Sequence, residues 1–488
     1  MPRARHTVPT ALARTSARLA VAGAAALGAA PAWAAQALPA EALAALQRAR
    51  VPAAAVSVAI VETGSGRRVL QWQEQRPVNP ASLTKLLVTA AALDRLGPAW
   101  AWTTPVWLAG PVRDGVLEGS VFIKGSGDPK LVLERLWLLL RRLQQQGVRE
   151  IRGDIVLDSS AFVVPDTAPG EFDGEPLRPY NVRSAALLFN FRSVLYTFVP
   201  DAAAGVARVW VEPTLAGTQT DRSVPLSSGP CEDWRGALKA SFEPGRTRFA
   251  GSYASACGES AWPVADPQPA TFELRLLEAL WREMGGKLHG SVREGLAPPE
   301  GPPTFELRSP ALAELVRDIN KHSNNLMAQQ LFLTLALQAA PGKPATPEAA
   351  REVLSGWVAE RTGAVGIEPG QELVIDNGSG LSRHTRISAQ RLARLLLQAY
   401  DSPVMSELMS SLPITGLDGT LRRSRATPGR AHLKTGSLRD VAGLAGYVLS
   451  DSGRRYVLVA IINHPQAHAA RPALAALVQW TMRDAPAR

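Results

Sequence analysis

One segment limits the folds open to this chain. From Ser82 to Leu96 it carries Leu86, Leu87, Val88, Leu93 and several alanines around nearly the whole circumference of a helix, and Gly97 supplies the stop. A helix apolar on most sides has no face to give to water, so it belongs inside a domain and must be covered by other layers. Its first turn nevertheless carries two polar groups three residues apart, Ser82 and Lys85. The chain therefore places a hydroxyl and an amine at the start of an interior helix.

Both ends of the chain supply candidate layers for that helix. Val56 to Glu62 reads as a strand, Thr63-Gly64-Ser65-Gly66 turns it, and Val69 to Trp72 returns. Near the end, Ala442 to Ser450 and Arg455 to Ile462 are strand candidates joined by Asp451-Ser452-Gly453, and a helix from Pro472 to Met482 follows. The middle differs. It is rich in Gly, Pro and short strands such as Ser120 to Lys124, Asp154 to Leu157 and Ala207 to Val211, with one helix from Leu131 to Gln146. Helices return at Thr271 to Met284, Pro310 to Asn320 and Asn324 to Gln338. The pattern predicts one α/β (α+β) domain made of residues 35–103 and 271–488, with a β-rich region of two small domains inserted at 104–270.

The first 34 residues read as a signal peptide rather than as part of the fold. Arg3, Arg5, Arg14 and Arg18 are followed by an apolar run from Leu19 to Ala30 and by Ala32-Trp33-Ala34, a small-x-small cleavage site. No later segment offers about 18 uninterrupted apolar residues, so no transmembrane segment is expected after cleavage. Loss of the four arginines lowers the formal charge from +10 to about +6. That charge is dispersed, with no basic stripe and interleaved aromatics, which argues against nucleic acid as a partner. Export places Cys231 and Cys257 in an oxidising compartment, where one disulfide is the natural reading and two buried thiols the alternative. The seven histidines are scattered without metal-ligand spacing, so no metal is assigned.

Three short motifs carry the chemistry. Ser82-Leu83-Thr84-Lys85 puts a hydroxyl and an amine on one helix face. A serine hydroxyl is a weak nucleophile until a base takes its proton, and a lysine becomes that base when burial or a neighbouring cation lowers its pKa. Ser323-Asn324-Asn325 interrupts two helical segments. By itself Ser323 can be an ordinary N-cap. In a functional reading its hydroxyl lies beside Lys85 as a proton relay to a leaving amine, and Asn325 orients the lysine. Lys434-Thr435-Gly436 ends a short strand-like run, where a cation and a hydroxyl can hold a carboxylate and the glycine lets a substrate backbone lie close.

S-x-x-K, S-x-N and K-T-G in this order form the signature shared by penicillin-binding proteins and serine β-lactamases. The chain resembles the class C low-molecular-mass penicillin-binding proteins, the D-alanyl-D-alanine carboxypeptidase/endopeptidases of the penicillin-binding protein 4 type. Asn79-Pro80-Ala81-Ser82, Gly125-Ser126-Gly127-Asp128-Pro129, Gly153 to Asp158, Asp376 to Arg383, Leu417 to Leu421 and Lys434 to Leu438 all look like recurring segments of that family. The spacing of 241 positions from Ser82 to Ser323 fits its large insertion.

The resemblance implies a penicillin-recognising, serine transpeptidase-like catalytic domain with a five-stranded antiparallel sheet flanked by helices. It implies that Ser82 is acylated, that Lys85 is the base, that Ser323 and Asn325 form the second motif and that Lys434 and Thr435 bind the terminal carboxylate. The amides of Ser82 and Ser437 would form an oxyanion hole. Peptidoglycan stem peptides are the expected substrates, β-lactams the expected inhibitors, and the periplasm the expected location, with no cofactor. Asp376 to Arg383 is either a glycine-rich turn with a helix cap or a wall of the site. Two rivals remain. A β-lactamase of class A would need a further glutamate, and no Glu-x-x-x-Asn lies between Ser323 and Lys434. A non-catalytic wall-binding protein would have no use for every motif side chain.

Overall fold

The computed structural model describes residues 37–298, 301–363, 373–424 and 426–484; the expected signal peptide lies outside them. Its central sheet has five strands, all antiparallel, in the order Arg68–Trp72, Val56–Glu62, Arg455–Asn463, Val441–Leu449, Ala431–Leu438. The two ends of the chain meet where Ile60 lies opposite Leu458. Arg455–Asn463 is apolar almost throughout because both of its faces are covered. Val457, Val459 and Ile461 pack on the side of the buried helix. Tyr456, Leu458, Ala460 and Ile462 pack against the terminal helices Ala40–Arg48 and Arg471–Met482. This is the period-2 alternation of a strand with a core on each side.

The interior helix is shorter than its sequence pattern. A 3₁₀ turn covers Ala81–Leu83 and the α-helix runs Thr84–Leu96, with every residue from Thr84 to Leu93 buried. Gly97 closes it at a φ of 82°. Helices Leu312–His322, Asn325–Ala339, Pro347–Thr362 and Ala389–Tyr400 complete that layer.

The inserted region is larger and less purely β than its composition suggests. Ile155–Asp158 runs parallel to both Ser120–Lys124 and Val292–Glu294, and Phe305–Arg308 runs antiparallel to Thr103–Ala109. A second sheet is built from Ser193–Asp201, Val206–Glu212, Ser223–Ser227, Tyr253–Ala254 and Ser260–Ala265. One apolar core runs through both groups, and helix Phe272–Glu283 belongs to it through Phe272, Leu276, Leu277 and Trp281. That helix was expected at the start of the second catalytic segment, at 271. The strand pairing and the core carry the insertion on to Arg308 instead. An amphipathic helix shows the same period whichever sheet it covers, so the sequence could not assign it. Cys231 and Cys257 are joined, with Cα atoms 4.8 Å apart. Among the described residues no helix is long and apolar enough to cross a membrane.

Candidate active site

The site forms where the buried helix begins. Asn79 organises the approach. Its Oδ1 accepts the Ala81 N–H at 2.9 Å and its Nδ2 donates to the Ser382 carbonyl at 2.8 Å. Asn463 brackets its backbone, accepting from Asn79 N at 2.8 Å and donating to Asn79 O at 3.0 Å. Ala81 is held at a φ of 49°, in the left-handed region, and is fully buried. Its carbonyl accepts the Thr84 hydroxyl at 2.8 Å. In a trans peptide the N–H lies opposite the C=O, so this bond turns the Ser82 N–H away from the Thr84 hydroxyl. Ser82 itself is partly exposed.

Lys85 is fully buried, and three oxygens surround its amine: Ser82 Oγ at 3.0 Å, Asn325 Oδ1 at 2.7 Å and the Ser379 carbonyl at 2.5 Å. Burial, then the nearby Lys434 cation, hold this amine well below the usual lysine range. A neutral amine has two N–H donors and one lone pair. In its neutral form the amine gives its two N–H donors to Asn325 and Ser379, and its lone pair then faces the Ser82 hydroxyl.

The Ser323 hydroxyl bonds Lys434 rather than Lys85. It ends helix Leu312–His322 in the left-handed conformation, φ 55°, and Asn324, not Ser323, caps the next helix by accepting from Met327 N at 3.0 Å. The freed Ser323 hydroxyl accepts from Lys434 Nζ at 2.8 Å, rather than from Lys85. Lys434 is fully buried, also donates to the Thr435 carbonyl at 2.9 Å, and is pushed by burial down to about 7.

Gly436 also has a different reason from the one the motif suggested. A Cβ there would meet the Pro80 carbonyl at 2.6 Å and Leu83 Cγ at 3.0 Å. The glycine brings the strand against the turn that carries Ser82, rather than making room for a substrate backbone. Ser437 is exposed.

Asp376 to Arg383 is a wall of the site. Beyond the Ser379 carbonyl, Gly380 packs so closely that a Cβ would lie 2.0 Å from the Ala81 carbonyl oxygen. A cleft of about 560 Å³ opens beside Asn325 and Ser379. Its far side comes from the insertion, including Phe172, Tyr180 and Arg183, and the Arg383 guanidinium lies 4.9 Å from the Phe172 ring centre. Sequence reasoning missed three neighbours: the Ser379 carbonyl, the Thr420 hydroxyl 2.9 Å from that of Thr435, and Arg471, whose Nη2 donates to Ser437 Oγ at 2.9 Å. Asp376 to Arg383 was read as either a capped turn or a wall of the site, Leu417 to Leu421 stood out as a family-like segment without a role, and nothing in the sequence marks Arg471.

Known proteins share this architecture. The D-Ala-D-Ala carboxypeptidase 3 (S13) family matches residues 40–484. The D-alanyl-D-alanine carboxypeptidase DacB of Haemophilus influenzae is 24% identical over 403 residues, 78% of this chain and 80% of that protein. A D-alanyl-D-alanine carboxypeptidase of an Actinomadura species is 28% identical over 437 residues, 83% of this chain and 77% of that protein. Among solved structures, penicillin binding protein 4 from Haemophilus influenzae superposes with a TM-score of 0.69 at 22% identity, covering 87% of this chain and 96% of that one. Fold, motif order and a family match over nearly the whole described chain agree: the chain belongs to the D-Ala-D-Ala carboxypeptidase 3 (S13) family.

Proposed function

We propose that the activity of this family is carried here by Ser82 as the acylated nucleophile and Lys85 as its base. The observation that carries the reading is the Lys85 amine: buried, with two acceptors for its protons and its remaining position 3.0 Å from Ser82 Oγ. Lys85 takes the hydroxyl proton as Ser82 Oγ attacks the carbonyl of the penultimate D-alanine. The negative oxygen of the tetrahedral intermediate lies against the Ser82 and Ser437 amides. When the C–N bond breaks, the leaving amine takes a proton from the Ser323 hydroxyl, which Lys434 replenishes. Terminal D-alanine leaves in the carboxypeptidase reaction, and the cross-linked neighbour leaves in the endopeptidase reaction. Water then attacks the acyl carbonyl, passing its proton through Ser323 to Lys434, while Lys85 returns its proton to Ser82 Oγ as the acyl group leaves.

Stem peptides of peptidoglycan are the substrates in this reading, and the periplasm is the location. The signal-like N-terminal pattern supports export, and the curated relatives are named as D-alanyl-D-alanine carboxypeptidases. The catalytic domain is the one built from both chain ends, and the insertion forms one wall of its cleft. Mass spectrometry of protein treated with penicillin tests the nucleophile. The adduct is expected on the peptide containing Ser82; an adduct on another serine, or none, overturns the assignment. The lifetime of the adduct separates this reading from a β-lactamase, which would release it within the assay.

A further inference from the structure

Strand Ala431–Leu438 divides its motif between two faces. Lys434 and Gly436 point towards the buried helix, the first onto Ser323 and the second onto Pro80 and Leu83. Side chains alternate along a strand, so Thr435 and Ser437 share the opposite face. Lys434 is enclosed, and both of its hydrogen bonds are internal. A carboxylate resting on the two hydroxyls therefore does not meet the Lys434 ammonium directly.

That face has a cation of its own. Arg471, exposed to solvent, donates from Nη2 to Ser437 Oγ at 2.9 Å. Among the described residues no carboxylate forms an ion pair with it. It is the first residue of helix Arg471–Met482, where a cation does nothing for the helix, because a helix N-terminus favours anions. A Ser437 hydroxyl that accepts from Arg471 keeps its own proton free to donate. Arg471 N–H groups and the Ser437 and Thr435 hydroxyls thus offer donors on one side, and a guanidinium keeps its charge at every accessible pH.

We propose that Arg471 is a specificity-determining residue that, with Ser437 and Thr435, reads the C-terminal carboxylate of the substrate in place of Lys434. This rests on the peptidase reading above. The test compares a diacetylated L-lysyl-D-alanyl-D-alanine tripeptide with its C-terminal carboxamide. In Arg471→Gln, KM for the carboxylate peptide rises roughly tenfold to a hundredfold, the range for a lost hydrogen bond to a charged group, while kcat stays within about threefold. Cleavage of the carboxamide is unchanged, so the preference for a free carboxylate falls by the same factor, and Arg471→Lys restores part of it. Equal losses on both peptides, or no loss on either, overturn the role of Arg471. A wild-type enzyme that cleaves neither peptide overturns the substrate reading itself.

Discussion

Arginine and lysine exchange freely on many surfaces, and this chain uses 45 arginines against 8 lysines. At position 85 the two residues are chemically different. Arginine stays protonated and cannot accept the Ser82 proton, whereas a buried lysine can. Folded Lys85→Arg should acylate with a chromogenic β-lactam roughly a hundredfold or more slowly, the usual loss for a general base. An unchanged second-order rate would mean that the proton leaves Ser82 by another route.

Lys434 yields a prediction about stability. Its pKa is about 7 in the folded protein against 10.5 for an ordinary lysine. Between those values the unfolded chain holds a proton that the folded one lacks, so this residue makes stability rise with pH across the window. Urea midpoints should therefore climb between pH 7 and pH 9 more steeply in wild type than in Lys434→Met. Parallel curves would show that Lys434 titrates normally. The pairing of hydroxyl and amine at Ser82 and Lys85 was readable from three-residue helix spacing. The partner of Ser323 was not, because a left-handed residue between two helices can turn its side chain to either lysine.

Elements meet in this site through missing side chains. Gly436→Ala would push a methyl group into the Pro80 carbonyl, a backbone atom that cannot swing aside. Overpacking of this kind costs about 1–3 kcal/mol, and here it also separates the strand from the Ser82 turn. The melting temperature and the β-lactam acylation rate should fall together. A variant that melts lower but acylates at the wild-type rate would show that the spacing is not set at Gly436. Strand existence was legible from alternation and from the long apolar runs at Val56–Glu62 and Arg455–Asn463. The reason for Gly436 was not, since a glycine in a strand looks the same whether a substrate or another backbone lies against it.

For the whole molecule, the insertion supplies none of the three motifs but contributes a wall of the cleft through Phe172, Tyr180 and Arg183. Contacts remote from the reacting bond are used by large substrates and hardly at all by small ones. Replacing residues 168–174 with a short Gly-Ser link should leave β-lactam acylation within about threefold and change cleavage of cross-linked muropeptides by about tenfold or more. Loss of acylation in a folded variant would make the insertion part of the catalytic machinery. The Cys231–Cys257 link lies in the same region and closes a loop of 26 residues. Its removal should lower the stability of the insertion by about 3 kcal/mol, read by thermal unfolding with and without reductant.

Much was determined by the sequence alone: an interior helix with a polar first turn, strands at both ends of the chain, the order of three motifs and a long insertion after the first of them. Each of these is a local pattern, a period or a spacing along one segment, and local backbone physics decides it. The tertiary structure decided what local patterns cannot carry. Helix Phe272–Glu283 went to the insertion because its apolar stripe fits the sheet it meets, not because of its period. Lys434 turned to Ser323, the Ser379 carbonyl reached Lys85, and Arg471 came to stand beside Ser437. These contacts join segments tens to hundreds of residues apart. Each depends on which face of a strand or turn looks into the cleft, and only the packed sheet and helices set that direction.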